Sequence, residues 1–420
     1  MVKKAIIFFF LWLGLRFVLA LLAKHVFPLV EDFIIDEEFR RNLPYLIWIW
    51  GNFDGYHYLH IAAHNYGLYQ NPFFPLYPYA IHFMSVTEPF NHYPLLVIGE
   101  IISNVSLFLA FLLISKLLTM DGFGKNATLF FLIFILFPST FFYGAVYNDS
   151  LFFFFACLTI YLARRRFWLL SSIAGMFATL TRLNGLALFF LIFAEYLTSY
   201  SKKAQNVWTV AGFKKAFRES LVPIKVLKSQ ILSIFLIPAA FFGYLYYTQA
   251  EYGDWHLIFR SMKIWGQDKV VFPLQVFWRY FKIIFIYPNF KITYWIAIIE
   301  LISVLFLIYI LYISFKKIRL SYWLFFFLSI LIPSLTGTFQ GMPRYGLHIY
   351  PFFLGILIFL KDKRLFVKSL YFTISLILLI LFISLFTRGY FIAQEYGHTE
   401  KSYNLLSFVK RRQDPALFSL

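Results

Sequence analysis

Long runs of apolar residues, each interrupted by only a few polar positions, recur along the whole 420-residue chain. The runs 5–23, 93–115, 127–146, 151–163, 167–181, 183–199, 229–249, 292–314, 321–336, 345–360 and 367–386 read as helices. Most are about 15 to 25 residues long, enough to cross or nearly cross a hydrocarbon core of about 30 Å. The pattern predicts an all-α polytopic membrane protein: one integral membrane domain, 1–420, with eleven crossings. Two connecting segments are long, 24–92 and 250–291, and long ordered connections are usually functional. Both carry aromatic, amphipathic stretches, YLIWIW (Tyr45 to Trp50) and VFWRYFKIIFIYPNF (Val276 to Phe290), which suit helices lying at the level of lipid headgroups.

Composition agrees: 61% of residues are hydrophobic and only 14% charged, against about a quarter charged in soluble domains. The net charge of +18 does not indicate nucleic acid, because the basic residues stand in short clusters between apolar runs, the mark of cytoplasmic loops. With the N-terminus inside, the short loops 1–4, 116–126, 164–166, 200–228, 315–320 and 361–366 hold 20 of the 38 Lys and Arg, and the opposite side holds 16. The N-terminal run exceeds a signal-peptide h-region and has no A-x-A-like site, so it reads as a retained first helix. Cys157 stands alone inside an apolar run, which excludes an intramolecular disulfide and a CxxC-type metal site.

This topology places four polar clusters on one face, the outer one: Asp54 in the first long segment, YNDS (Tyr147 to Ser150), TRLNG (Thr181 to Gly185) and GMPRY (Gly341 to Tyr345). The helices flanking TRLNG are short, so its tip sits below the membrane surface. An arginine held there either pairs with an anion, lipid phosphate being the nearest, or snorkels to its own headgroups. Asp54, embedded among Trp48, Trp50, Phe53, Tyr56 and Tyr58, is either a general base for a sugar hydroxyl or an ordinary helix cap in an Asp-Gly turn. His57, His60 and His64 include a His-x-x-x-His pair, but no second carboxylate stands at ligand spacing and no metal is predicted. Glu100, Glu195 and Glu300 fall within apolar runs, where they either bond a neighbouring helix or carry protons in a transporter.

Taken in order, Asp54-Gly55-x-His57-Tyr58 with Ile61-Ala62, Asn65-Tyr66-Gly67 and Phe73-Phe74-Pro75-Leu76-Tyr77-Pro78 resembles the first outer loop of PIG-V-type mannosyltransferases. Phe137-Pro138-Ser139-Thr140-Phe141-Phe142 with Tyr147-Asn148-Asp149-Ser150-Leu151-Phe152 is similar to that family's F-P-x-S-x-F-F and Y-S-E-S-L-F pattern. Thr181-Arg182-Leu183-Asn184-Gly185 resembles its T-R-x-N-G, and Pro343-Arg344-Tyr345 its P-R-Y. Phe53 stands where the family usually has Trp, and Asp149 where it more often has Glu.

The resemblance implies a GT-C glycosyltransferase fold. It implies inverting transfer of mannose from a polyprenyl-phosphate donor to a glycolipid or glycan hydroxyl, on the lumenal or extracytoplasmic face and without cofactor. Asp54 would be the general base. Arg182, Arg344 and His57 would bind the donor phosphate, and Asp149, Asn184, Tyr58 and Trp50 would position substrate. The membrane would be the plasma membrane of a prokaryote or the endoplasmic reticulum of a eukaryote, with membrane lipids as surroundings and a partner subunit left open. The competing expectation is a transporter or flippase of a lipid-linked sugar, which the absence of an evident internal repeat disfavours. A third is an assembly subunit without chemistry, which would leave the polar clusters unexplained.

Overall fold

A computed structural model describes residues 1–30, 37–85, 92–200, 208, 231–267, 269–286, 288, 290 and 292–390. The basic loop expected over 200–228 lies almost wholly outside the described residues. Within them the secondary structure is helical, with no strand. Four helices are long and apolar enough to cross a membrane: Val2–Val26, Tyr93–Met120, Tyr294–Ser314 and Leu365–Thr387. A fifth span results if the bent pair Met342–His348 and Tyr350–Leu360 counts as one.

The first helix, α1 (Val2–Val26), shows how the sequence builds such elements. Ala5, Phe8, Phe9, Trp12, Arg16, Leu19 and Ala20 are buried, a helical stripe of positions three and four apart. Phe10, Leu11, Val18, Leu21 and Leu22 on the other side are exposed. Both faces are apolar, so the periodicity lies in burial and not in polarity, as for a helix whose second face meets lipid.

The first long segment folds into short helices: Glu37–Asn42, Tyr45–Trp48 with a 3₁₀ turn at Ile49–Gly51, then α2 (Asp54–His64) and α3 (Leu76–Met84). Helices α2 and α3 pack on each other and on α4 (His92–Met120). The next expected crossing, 127–146, is not one helix. The chain is helical over α5 (Ala127–Ile135), and after Pro138 it continues as a 3₁₀ turn at Thr140–Gly144. Pro138 has no N–H for a continued helical ladder, and the irregular stretch that follows delivers Tyr147, Asn148 and Asp149 to the head of α6 (Asp149–Arg164).

Helix α6 packs on α4 and on α7 (Trp168–Thr181). After the 3₁₀ turn Leu183–Leu186 come α8 (Ala187–Tyr200) and α9 (Leu236–Tyr252). The second long segment holds α10 (Pro273–Phe281), which passes into a π-turn at Lys282–Ile286. It exposes Leu274, Trp278, Phe281 and Phe285 while burying Val276 and Tyr280, the two-faced distribution expected of an interfacial helix. Then follow α11 (Ile292–Ser314) and α12 (Leu320–Ser334). The expected crossing 345–360 is broken: the turns Met342–His348 meet α13 (Tyr350–Leu360) at 93°. Pro351 lacks the N–H that a continuous helix would use to bond back. The last described helix, α14 (Leu365–Thr387), packs against α1.

Candidate functional site

Three irregular junctions and one helix start meet at a single cavity. At the first, Phe53 takes φ 57° and ψ −119° immediately before α2, a region rarely entered by a bulky side chain and one that concentrates at functional sites. The strained peptide is held from both sides. Asp54 N–H donates to Tyr147 Oη at 3.2 Å, and that hydroxyl donates to the Asn52 carbonyl at 3.1 Å. Phe53 itself packs on Phe386 of α14.

At the second junction α7 ends at Thr181 and Arg182 is extended, with φ −157° and ψ 147°. Gly185 then lets the 3₁₀ turn fold back on α7: a Cβ there would lie 2.4 Å from the Thr179 backbone. At the third, Gly341 adopts φ 76° and starts the short turn that carries Arg344. The head of α6 supplies Asn148 and Asp149.

The side chains form one ion-pair network. Arg344 Nη1 donates to Asp54 Oδ2 at 2.8 Å, and its Nε lies 3.7 Å from Asp149 Oδ1. Arg182 Nη1 donates to Asp149 Oδ1 at 3.1 Å and to Asn148 Oδ1 at 3.0 Å. His348 Nε2 sits 2.6 Å from the same Asp149 oxygen. Both guanidinium groups also lie on aromatic faces, Arg344 over Tyr147 and Phe142 and Arg182 over Tyr345; such contacts strengthen when water is excluded. Two arginines and two carboxylates balance in charge, yet the network is incomplete. Asp149 Oδ2, Arg344 Nε and His348 Nδ1 are buried without a hydrogen bond.

A cavity with an open mouth borders this network. It is lined by polar side chains, Asp54, Asn148, Thr181, Arg182, Asn184 and Arg344, and by apolar ones, Phe74, Phe241, Ile258, Met262 and Ile332 among them. Asp54 is a fifth exposed, whereas Asp149 is fully buried beneath the arginines. Tyr58 also lines the cavity, and burial keeps its phenol protonated well above the usual range, available as a donor.

The structure therefore brings together Asp54, Tyr58, Arg182, Asn184 and Arg344 at the cavity, with Asp149 behind them. It does not bring Trp50 or His57 to the lining. Trp50 is fully buried, and Arg16 stacks on its ring at 4.2 Å. His57 stacks on Phe73, the residue that does line the cavity, with ring centres 4.8 Å apart. Its Nδ1 accepts from Gln70 Nε2 at 3.2 Å, which leaves the proton on Nε2. Burial pushes the imidazole down to about 4, outweighing the attraction of Asp54. At neutral pH His57 is thus an uncharged support of the wall.

Sequence reading missed three residues. His348 stands four positions after Arg344, one helical turn away, which was the available signal. Asn148 was visible only as part of YNDS. Gln70 had no signal: it joins His57, His60 and the Gly67 N–H, the last at 2.9 Å.

Fold and site define a membrane protein, helical throughout its described secondary structure, with a buried ion-pair network beside an amphipathic cavity. No protein-family model, no characterised protein and no solved structure matches this chain.

Proposed function

We propose that the protein is a GT-C-type mannosyltransferase that uses a polyprenyl-phosphate-linked mannose and acts on a glycolipid or glycan hydroxyl at the extracytoplasmic or lumenal face. The carrying observation is the division of the cavity lining between charged side chains, two arginines and Asp54 among them, and aromatic and aliphatic ones. That division suits a ligand with an anionic head and a hydrocarbon tail. The eleven-crossing topology belongs to the same reading, with α5, α7, α8 and α12 as shorter transmembrane elements.

In the reaction, an acceptor oxygen attacks the anomeric carbon as the bond from that carbon to the phosphate oxygen breaks. Asp54 takes the acceptor proton through Oδ1, the oxygen that has no hydrogen bond among the described residues. Arg182 and Arg344 meet the charge that develops on the departing phosphate, for which preorganised donors are the main source of rate. An alkyl phosphate leaves readily as an anion, so no acid group has to protonate it. Asp149, fixed by Arg182, Arg344 and His348, keeps both guanidinium groups aimed at one point.

The test is direct. Purified protein is incubated with labelled polyprenyl-phosphate mannose and a host lipid extract, and products are read by mass spectrometry. A mannosylated lipid or glycan is expected from the wild type and none from Asp54→Asn. Transfer by Asp54→Asn at most of the wild-type rate would remove Asp54 as the base, and movement of intact donor across the bilayer with no glycosidic product would favour a flippase.

A further inference from the structure

At the end of α6 opposite Asp149, three parts of the chain converge on a second cavity. The turn after α4 contributes Asp121 and Phe123, the end of α6 contributes Arg164, and the turn between α11 and α12 contributes Lys317, Ile318 and Arg319. None of its lining residues is shared with the cavity at Asp54. Lys316 takes φ 60°, a left-handed conformation that reverses the chain directly after α11, and the next three residues all border the cavity.

The charges here do not balance. Asp121 accepts from Arg164, Tyr322 and Tyr350, and Glu195 accepts from Arg319 through Nε and Nη2. Two carboxylates thus match two guanidinium groups, and Lys317 is the surplus cation. Among the described residues Lys317 forms no ion pair, and the only hydrogen bond from its residue is the backbone one to the Ser314 carbonyl. Arg319 Nη1 has no hydrogen bond among them either. Both donors can be reached: Lys317 is exposed, and the Arg319 side chain is 40% exposed. The Asp121 side chain is only 5% exposed, so the accessible charge of this cavity is positive. A further cation, Lys361, lies over the ring of Phe123 at 5.5 Å from its centre. The rest of the lining includes the apolar side chains of Met120, Ile318 and Leu354.

The geometry points to this cavity as a binding site for a phosphate-bearing anion, held by Lys317 and Arg319. A metal cation is disfavoured, because the carboxylate oxygens are already occupied and the balance is positive. A phosphate has several oxygens that accept from donors on different sides, here a flexible ammonium and the outer nitrogen of a guanidinium fixed by Glu195. Two sources share this chemistry. One is a lipid headgroup, whose glyceryl carbons would meet Met120, Ile318 and Leu354; the other is a soluble phosphate. The site does not depend on the transfer reaction proposed above.

The full-length protein in neutral maltoside micelles at physiological salt is titrated with dioctanoyl phosphatidic acid, with inorganic phosphate and with dioctanoylglycerol, and bound molecules are counted by native mass spectrometry. Saturable binding of a phosphate-bearing probe is expected, with none of dioctanoylglycerol. Lys317→Gln, a change at an exposed position, should weaken binding about tenfold, the loss of one charge-assisted hydrogen bond. Lys317→Arg, which keeps the charge, should restore most of it. Lys363→Gln removes an exposed cation outside the lining and should change binding by less than about twofold, because salt screens charges at that distance. Phosphatidic acid bound well ahead of inorganic phosphate identifies the lipid source, and equal binding identifies the soluble one; either supports the site. Absence of binding by both phosphates overturns it, as does dioctanoylglycerol binding as well as phosphatidic acid. So does an affinity unchanged in Lys317→Gln, or one lowered as far in Lys363→Gln, which would mean a diffuse basic face without a site.

Discussion

Two buried networks of carboxylates and guanidinium groups stand at opposite ends of α6, about 22 Å apart at 1.5 Å per residue, and they are built differently. At the Arg164 end every carboxylate oxygen is taken. Asp121 accepts from Arg164, from Tyr322 at 3.2 Å and from Tyr350 at 3.0 Å. Glu195 accepts from Arg319 Nη2 at 2.6 Å and Nε at 3.1 Å, and from Ser321 at 2.7 Å. At the Asp149 end three cationic or imidazole groups crowd one oxygen while the other has no hydrogen bond, and two nearby nitrogens are also unsatisfied. A saturated network holds helices in register; the one beside the cavity leaves buried donors and acceptors unsatisfied. The same groups are thus arranged in two ways, and bonding completeness distinguishes them; under the proposed function the incomplete network is the one beside the reaction. The comparison also removes one candidate for proton transport. Glu195, read from sequence as a helix partner or a carrier, is held by Arg319 and Ser321.

The largest test of this contrast exchanges function for stability. Asp54→Asn is expected to lower transfer by about 10²–10⁴-fold, the usual contribution of a general base, in a protein that still folds in detergent. Glu195→Gln should do the reverse: it removes the carboxylate that holds Ser321 and the part-exposed Arg319, while Arg164 keeps Asp121, and costs about 1–3 kcal/mol of stability. Its specific activity per folded molecule should stay within about twofold. Transfer that collapses in the Glu195 variant while it remains folded would erase the distinction.

Arg182→Ala comes next, with a loss of about 10²–10³-fold in kcat/KM, in the range of removing one oxyanion donor. Double-mutant analysis with Asp149→Asn should show strong non-additivity, because the two residues share one bond. His348→Ala should cost less, about 10–100-fold in kcat/KM, by freeing Asp149 to move. If His348→Ala lowers stability alone, the histidine belongs to the saturated kind of network.

The smallest effect is acid sensitivity. His57 stays neutral in the folded protein down to about pH 4, whereas in the unfolded chain it takes up a proton near pH 6.5. Between those values the unfolded state binds more protons, so stability falls as pH drops from 6.5 toward 4 and is unaffected by this group above that range. His57→Asn should flatten the corresponding part of the melting-temperature profile; a profile that keeps its slope would exclude this imidazole as its source.

Much of the candidate site was visible as polar punctuation in an apolar chain. Asp54, Asp149, Arg182 and Arg344 each interrupt or border an apolar run, and charge is too costly in such surroundings to stand there without a partner. The resemblance implied substrate contacts for Trp50 and His57, but the 3₁₀ turn at Ile49–Gly51 and the strained peptide at Phe53 redirect the chain between them. Neighbours in sequence then face different surroundings: Trp50 meets Arg16, His57 meets Gln70 and Asp54 meets the cavity.

The sequence alone determined that this is a helical membrane protein, because runs of apolar residues must be solvated by lipid or by one another and their backbones must then bond internally. It also determined which charged residues required an explanation. The tertiary structure decided how those charges pair. Arg344 reaches Asp54 across 290 positions of sequence and His348 reaches Asp149 across 199, and no local pattern encodes contacts made by irregular junctions between helices. Which network closes on itself and which stays open is a property of that packing, since it depends on how many donors arrive at each carboxylate from distant parts of the chain.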